Sequence, residues 1–442
     1  MHNFDRKSRK MSTPYIKRSL ETVLIRAVSQ FPAVLVSGPR QSGKTTLLRR
    51  LFGDSHRYVS LESLDIRALA TENPRAFFEA YPPPVIVDEA QYAPYLFSYI
   101  REKIDANRHQ MGQFLLTGSF TRVHIGMSNF RPSHQPFLLM GYQRNSVPTE
   151  EVTESLADRI AVLHLLPLSR REMDATPGLP LPWEPRDETS LKNSWAFGKL
   201  WGRLLRGGYP ELATQHRIDE FFWHGGYIQT YLARDVGPLR NVGDLARYQK
   251  LLQFLAARSG QLLNLTDVSR DLDIPVDVIE RWLSILEATY KVIVLRPYFS
   301  NEEKRLVKTL KVYFTDTGTL CYYIAGLKDP RHATSGPMGG AIMETAVLSE
   351  IVKTLVHRGE IPRIFFWRTM AGNEVDFVVK TEGKLVPVEV KLSATPQRAM
   401  ARSINAFLED AGDVATPGYV VHPGEMRLPL GRGAVALPFA QF

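Results

Sequence analysis

Three hydrophobic patterns run along the chain. Short unbroken apolar runs, "AVLV" (33–36), "VIV" (85–87), "FLL" (114–116) and "IAVL" (160–163), end in small or polar residues. Such runs predict strands buried on both faces, as in a parallel sheet covered by helices. Helical spacing takes over at "FFWHGGYIQTYLARDV" (221–236) and "LARYQKLLQFLAARSG" (245–260). Within "NLTDVSRDLDIPVDVIERWLSILEATY" (264–290), Thr266 is placed to cap a first helix and Asp273-Ile274-Pro275 to turn the chain. Val278, Ile279, Trp282, Leu283 and Leu286 then line one face of a second helix. Strands "KVIVLRPY" and "LKVYFTD" follow, bracketing a basic tip as a wing does. Period-two alternation appears last. Val375, Phe377 and Val379 share one face, and Val386, Val388 and Val390 share another, across the turn "KTEG" (380–383).

The ends of the apolar runs carry the chemistry. The first enters Gly38-Pro39-Arg40-Gln41-Ser42-Gly43-Lys44-Thr45-Thr46 and then a helix, the G-x-x-x-x-G-K-T pattern in its strand–loop–helix setting. Gly38 and Gly43 let backbone N–H groups close around phosphate oxygens, with the helix N-terminus behind them. Lys44 reaches the β- and γ-phosphates and the Thr45 hydroxyl ligates Mg²⁺. The second run delivers Asp88 and Glu89 to the sheet edge where ligands of such folds bind, Asp88 for Mg²⁺ and Glu89 for the attacking water. The third places Thr117 and Ser119 at that edge as phosphate sensors. Arg159, before the fourth, is an arginine-finger or sensor candidate, acting within the chain or across a subunit boundary of a homo-oligomer. A surface salt bridge is its plainer role.

These motifs, with "ESLADRIAVLHLLPLS" (154–169), "RGGYPE" (206–211), "YIQTYLARDV" (227–236) and "KTLKVYFTDTGTL" (308–320) in that order, resemble the prokaryotic AAA-superfamily ATPases that carry a C-terminal domain of unknown function. The resemblance implies a P-loop three-layer α/β core, a helical and winged-helix middle, and a C-terminal α/β domain similar to PD-(D/E)XK restriction endonucleases. The corresponding divisions are a basic tail (1–11), the ATPase domain (12–170), a connector and helical region (171–245), the winged-helix region (246–325) and the nuclease-like domain (326–442). ATP and Mg²⁺ are the implied cofactors. Two polar stretches, 121–134 and 142–151, read as insertions beside the sensor strand, and Asp158 stands where the family has glycine.

If the two apolar sets of the hairpin pack on the same core, Asp376 meets Glu389 and Lys391 across the ladder, a D…E-x-K set. Two carboxylates suit a second Mg²⁺ or Mn²⁺, and a lysine suits the attacking water and the phosphate charge. Glu344, on a predicted helix, is an additional ligand candidate. The plainer reading is a solvated charged face.

Charge narrows the partners. Residues 1–50 hold 11 Lys/Arg and two acids, so they account for the whole formal net charge of +9. A basic tail gives salt-sensitive affinity for phosphates. Residues 264–290 carry six acids against two bases, which disfavours groove reading by that helix pair, and residues 335–442 balance at 11 each. The candidate surfaces for DNA are the tail, the wing and the C-terminal domain; a protein partner is the other candidate. The single Cys321 precludes an intrachain disulfide, and no apolar run approaches the roughly 18 residues of a membrane span, so a cytoplasmic location is expected. Two functions stay open: an ATPase that regulates a DNA-engaging, nuclease-like domain, or a nucleotide-driven protein-binding switch with an inactive nuclease-like scaffold.

Overall fold

The structure, a computed structural model, describes residues 14–118, 156, 158–186, 197–237, 244–298, 309–324, 327, 329–431 and 433–442. The basic tail, Ser119, both insertions and the wing tip lie outside the described residues. Helix α1 (Leu20–Gln30) leads into β1 (Ala33–Ser37) and α2 (Lys44–Phe52). With β2 (Arg57–Ser60), β3 (Val85–Asp88), β4 (Phe114–Gly118) and β5 (Ile160–His164), β1 builds a sheet of order β2-β3-β4-β1-β5. Every neighbouring pair is parallel.

The apolar runs read as doubly buried strands, and the packing explains why. Ala33, Leu35, Val85, Val87, Phe114 and Leu116 pack with Phe97 and Ile100 of α3 (Leu96–Ala106). Their neighbours Val34, Val36, Ile86 and Leu115 pack with Leu20 and Leu24 of α1 and Leu47 and Leu48 of α2. Side chains of β1, β3 and β4 alternate between two helical layers, so these central strands have no solvent face, whereas the edge strand β2 leaves Arg57 exposed and β5 is only partly buried.

In the middle of the chain α4 (Glu220–Tyr231) runs into a π-helical turn at Leu232–Val236, and α5 (Leu245–Ala257) follows. Next come β6 (Leu262–Asn264), α6 (Leu265–Leu272), α7 (Val276–Ala288), β7 (Val292–Leu295) and β8 (Thr309–Phe314), the strands forming an antiparallel sheet of order β6-β8-β7. Ile279, Trp282, Leu283 and Leu286 are buried as their spacing predicts. The cap of α6 is Asn264, whose side-chain oxygen accepts from the Thr266 N–H at 2.9 Å. Thr266 therefore sits inside the helix rather than ahead of it.

The last region opens with α8 (Gly339–His357), buried at 16 of its 19 residues, and so a central helix rather than an amphipathic cover. It packs on a six-stranded sheet of order β13-β14-β12-β11-β10-β9, comprising β9 (Ile364–Arg368), β10 (Glu374–Thr381), β11 (Lys384–Val390), β12 (Gly418–His422), β13 (Leu428–Pro429) and β14 (Ala434–Pro438). Phe407 of α9 (Arg402–Ala411) packs in the cluster on the opposite face. The β10–β11 ladder closes at Thr381↔Lys384, with Glu382 and Gly383 both at positive φ, so the turn is two residues long.

One expectation fails here. Val375 does not share a face with Phe377 and Val379: it packs with Val378 and Leu385, whereas Phe377, Val379, Val386, Val388 and Val390 join the cluster containing α8. The β9–β10 register shifts between Val375 and Val378, a β-bulge that breaks the alternation at Asp376 and Phe377.

A buried polar network joins α8 to the first sheet. Ser169 and Glu172 form a reciprocal capping box around the short helix Arg170–Met173. Glu350 accepts from the backbone N–H of Arg170 at 2.7 Å and from Arg171 Nη1 at 2.6 Å. Lys353 donates to Leu168 O at 3.2 Å, and His357 Nε2 accepts from the Leu166 N–H at 3.1 Å. That bond leaves the proton on Nδ1, which lies 3.2 Å from Glu172 Oε1. Residues 166–172 thus form a docking surface, whose last two residues lie where composition suggests a connector.

Candidate functional site

The loop after β1 is shaped by its glycines. Gly38 has φ +155, and a Cβ there would lie 2.1 Å from Leu165 O, which excludes any side chain. Gly43 has φ +96 and opens α2. Lys44, first in the helix, is buried, and its Nζ donates to Gly38 O at 3.0 Å and Pro39 O at 2.9 Å. Burial lowers its pKa against the pull of Glu89 and Asp88. Pro39 and Ser42 are buried; Gln41, at φ +60, and Thr46 face solvent. Arg40 is tied to Asp235 and Tyr92. From below, Arg18 donates to Ser42 O at 2.8 Å, to Leu166 O at 2.7 Å and to Glu172 at 3.1 Å.

Strands β3 and β4 bring their ends to this loop because they run parallel to β1. Asp88 Oδ1 accepts from Thr45 Oγ1 at 2.7 Å and from the Thr117 hydroxyl, while Oδ2 accepts from Tyr58 OH at 2.9 Å. Glu89 adopts φ +56, and its backbone N–H donates to Thr117 Oγ1 at 3.2 Å. Gln91 donates to the Glu89 carboxylate. Three strand ends therefore converge on one carboxylate beside the helix N-terminus, the arrangement that oxygen-ligated cations and phosphates use.

Arg159 is not brought there. It precedes β5, and its carbonyl accepts from the Ala33 N–H at 3.2 Å, at the start of β1 and so at the opposite edge of the sheet. Its Nε pairs with Asp105 Oδ1 at 2.8 Å. Asp158 beside it has φ +64, the region that favours glycine.

In the C-terminal sheet the candidate residues do gather, but in the interior. Asp376 and Glu389 are 8% and 4% exposed, which rules out a solvated face. The Phe377↔Val388 pairing sets the two carboxylates across the ladder from each other. Asp376 Oδ2 accepts from the Val390 N–H at 2.8 Å, Glu389 Oε1 from Lys391 Nζ at 2.5 Å, and Glu344 Oε2 from Tyr313 OH at 3.0 Å. Glu389 Oε2 is buried and makes no hydrogen bond. Burial and then the charge of Asp376 push the Glu344 and Glu389 carboxyls up to about 8 each. Burial likewise raises Asp376, against the pull of Lys311. Among the described residues, no three His, Cys, Asp or Glu side chains form a group that would hold a metal ion unaided.

Sequence reasoning missed Tyr58, Tyr92, Arg18, Asp235 and Lys311. Asp235 and Lys311 had a signal, their places in "YIQTYLARDV" and "KTLKVYFTDTGTL"; the others stand outside the quoted motifs.

Three family models match parts of the chain. Residues 30–134 match the family described as an AAA domain, residues 198–331 the "Domain of unknown function (DUF8612)" and residues 339–442 the "Domain of unknown function (DUF4143)". Uncharacterized proteins of Mycobacterium bovis and Mycobacterium tuberculosis are each 29% identical over 428 residues, 96% of this chain and 84% of theirs. A Walker-type ATPase of Pyrococcus abyssi aligns over 70% of this chain and 96% of its own at 14% identity, with a TM-score of 0.37. Among the described residues no helix is long and apolar enough to cross a membrane. The chain thus carries a nucleotide-binding P-loop domain of the AAA ATPase type, followed by two regions whose families have no assigned function.

Proposed function

We propose that the chain hydrolyses ATP and that its nucleotide state regulates a nuclease-like site in the C-terminal sheet. The observation carrying the first half is the convergence of the Thr45 and Thr117 hydroxyls on Asp88 at the mouth of the loop. This set of hard oxygen donors suits Mg²⁺, which Thr45 and Asp88 would hold and which supplies charge neutralisation at the β- and γ-phosphates. Lys44 keeps one N–H beyond its two bonds to loop carbonyls, and offers it to those phosphates. Glu89 orients and polarises the attacking water, with Gln91 steadying its carboxylate and Thr117 the backbone beneath it.

The second half is supported by two buried carboxylates, Asp376 and Glu389, with the partly buried Glu344 and a lysine beside them. The free Glu389 Oε2 fits a cation, so Asp376 and Glu389 would hold Mg²⁺ or Mn²⁺, with Glu344 alongside. The ion supplies Lewis-acid charge, and Lys391 orients water and offsets phosphate charge. Plasmid or branched DNA incubated with Mn²⁺ and ATP is expected to be cleaved by the parent chain and left intact by Glu389→Ala. The scaffold reading is favoured by the Lys391–Glu389 pair, which already neutralises one carboxylate. It forecasts no cleavage and no response to Mn²⁺.

Protonation gives a separate check. With carboxyl groups near 8, protons compete with the cation at neutral pH. Mn²⁺ affinity by calorimetric titration should therefore strengthen from pH 7 to 9 by roughly tenfold. Without the ion, the groups' contribution to stability is full below the unfolded carboxylate range and is lost as pH rises through about 8. Metal-free melting temperatures should fall over that window, and Mn²⁺ should restore them. Equal affinity at both pH values would overturn the assignment.

A further inference from the structure

We propose that Asp235 is a positioning residue of the nucleotide site: it holds Arg40 ready for the polyphosphate of a nucleoside triphosphate, making the helical middle region part of that site. The proposal rests on the ATP-hydrolysing reading above and adds a residue 195 positions downstream of the loop.

The geometry is specific. Arg40 Nε donates to Asp235 Oδ1 at 2.8 Å and Nη2 donates to Tyr92 OH at 3.0 Å. The two side chains of the ion pair are 12% and 14% exposed, so the bond is largely shielded from water and salt. A guanidinium has five N–H donors; these two bonds fix its plane and leave three for another acceptor, both hydrogens of Nη1 among them. Arg40 lies between Gly38 and Lys44, inside the loop that would wrap the phosphates. A long side chain left free there would spend most of its time in other rotamers, whereas one pinned at two points is ready to bind.

Both anchors are themselves held. Arg67 stacks over the Tyr92 ring at 3.9 Å. Asp235 stands in the π-helical turn, where Gly237 N–H bonds back five residues to Leu232 O at 2.8 Å. The extra residue per turn re-aims side chains, and such turns recur at functional sites. The middle region touches the base of the loop a second time, through Tyr290 OH and Ser37 Oγ at 3.3 Å. Burial works against the charge on Arg40, and Asp235, with Tyr92 and Glu89, raises its pKa above the ordinary value.

The test is a double-substitution cycle in the full chain, with phosphate release, ATP and ADP titrations, and melting temperature as readouts. Asp235→Asn is expected to lower kcat about tenfold, with ADP affinity within about twofold of the parent. In an Arg40→Ala background the same substitution should change kcat by less than about twofold, because its partner is gone. Tyr92→Phe, which keeps the ring under Arg67, should reproduce the pattern more weakly, and it carries the cycle if Asp235→Asn does not fold. Parent kcat in Asp235→Asn, or equal losses in both backgrounds, would overturn the proposal while leaving ATP hydrolysis standing. A parent chain that fails to bind ATP would overturn both, and that measurement precedes any variant.

Discussion

A Lys44→Ala chain should lose ATP affinity by on the order of 10²-fold, the usual consequence of deleting one member of a desolvated charge pair. Lys44 is 5% exposed, and Arg40 is the only other cation in the loop. Arg40, fixed in its own place by Asp235 and Tyr92, cannot move into the position that Lys44 vacates. The substitution also strips two loop carbonyls of their donor, so some stability is lost even without nucleotide, about 1–3 kcal/mol. Glu89→Gln separates chemistry from binding. The amide keeps the shape and the backbone bond to Thr117 but cannot polarise water as a carboxylate does. Affinity should stay within about twofold while turnover drops on the order of 10²- to 10⁴-fold. Equal turnover by Glu89→Gln and the parent would remove Glu89 from the mechanism.

Glu350→Ala should be the most destabilising single change away from the nucleotide site, at about 3–5 kcal/mol, because it strands the Arg171 guanidinium and two backbone N–H groups in the interior. Arg171 is 1% exposed. A Glu350→Met, Arg171→Met chain should recover only the part of that loss that comes from the uncompensated guanidinium charge, since the backbone N–H groups of Arg170 and Arg171 stay unpaired. Denaturant midpoints for the three chains decide it; a single substitution no worse than the double would mean the pair contributes only packing. Acid should loosen the same joint. Burial opposes charge on Glu172, yet Arg18 and His357 hold its carboxyl below the ordinary range. Burial also lowers the His357 pKa, so its ring is kept neutral. Both folded values are depressed, so both contributions are present at neutral pH. The histidine's part is lost as pH falls below roughly 6.5 and the glutamate's below roughly 4.3.

What could be read in advance was local. The strand–loop–helix around Lys44 lies within 20 consecutive residues, and Asp88 follows directly from the apolar run that carries it. The pairing of Asp376 with Glu389 needs only a short turn and a pleat. What could not be read involved information from elsewhere in the chain. Arg159 belongs to a strand whose start, not its end, is beside it, so a parallel sheet sends it to the far edge. The bulge at Asp376 depends on how β9 pairs, and a single strand's alternation does not contain that register. Burial of the C-terminal carboxylates depends on α8 arriving from the other side. Arg40 meeting Asp235, and Glu172 meeting His357, are encounters across 195 and 185 positions; composition suggests neither.

The polar underside of α8 has a consequence for how these proteins can be recombined. Three family assignments along one chain invite the view that each segment is an exchangeable cassette. Yet Glu350, Lys353 and His357, from the third segment, fill hydrogen-bonding positions offered by residues 166–171, ahead of the second. A chimera that takes residues 339–442 from a 29% identical relative would have to import matching partners for three buried polar groups at once. Grafts that move 166–173 together with the C-terminal segment should yield folded chimeras, and grafts that split them should not.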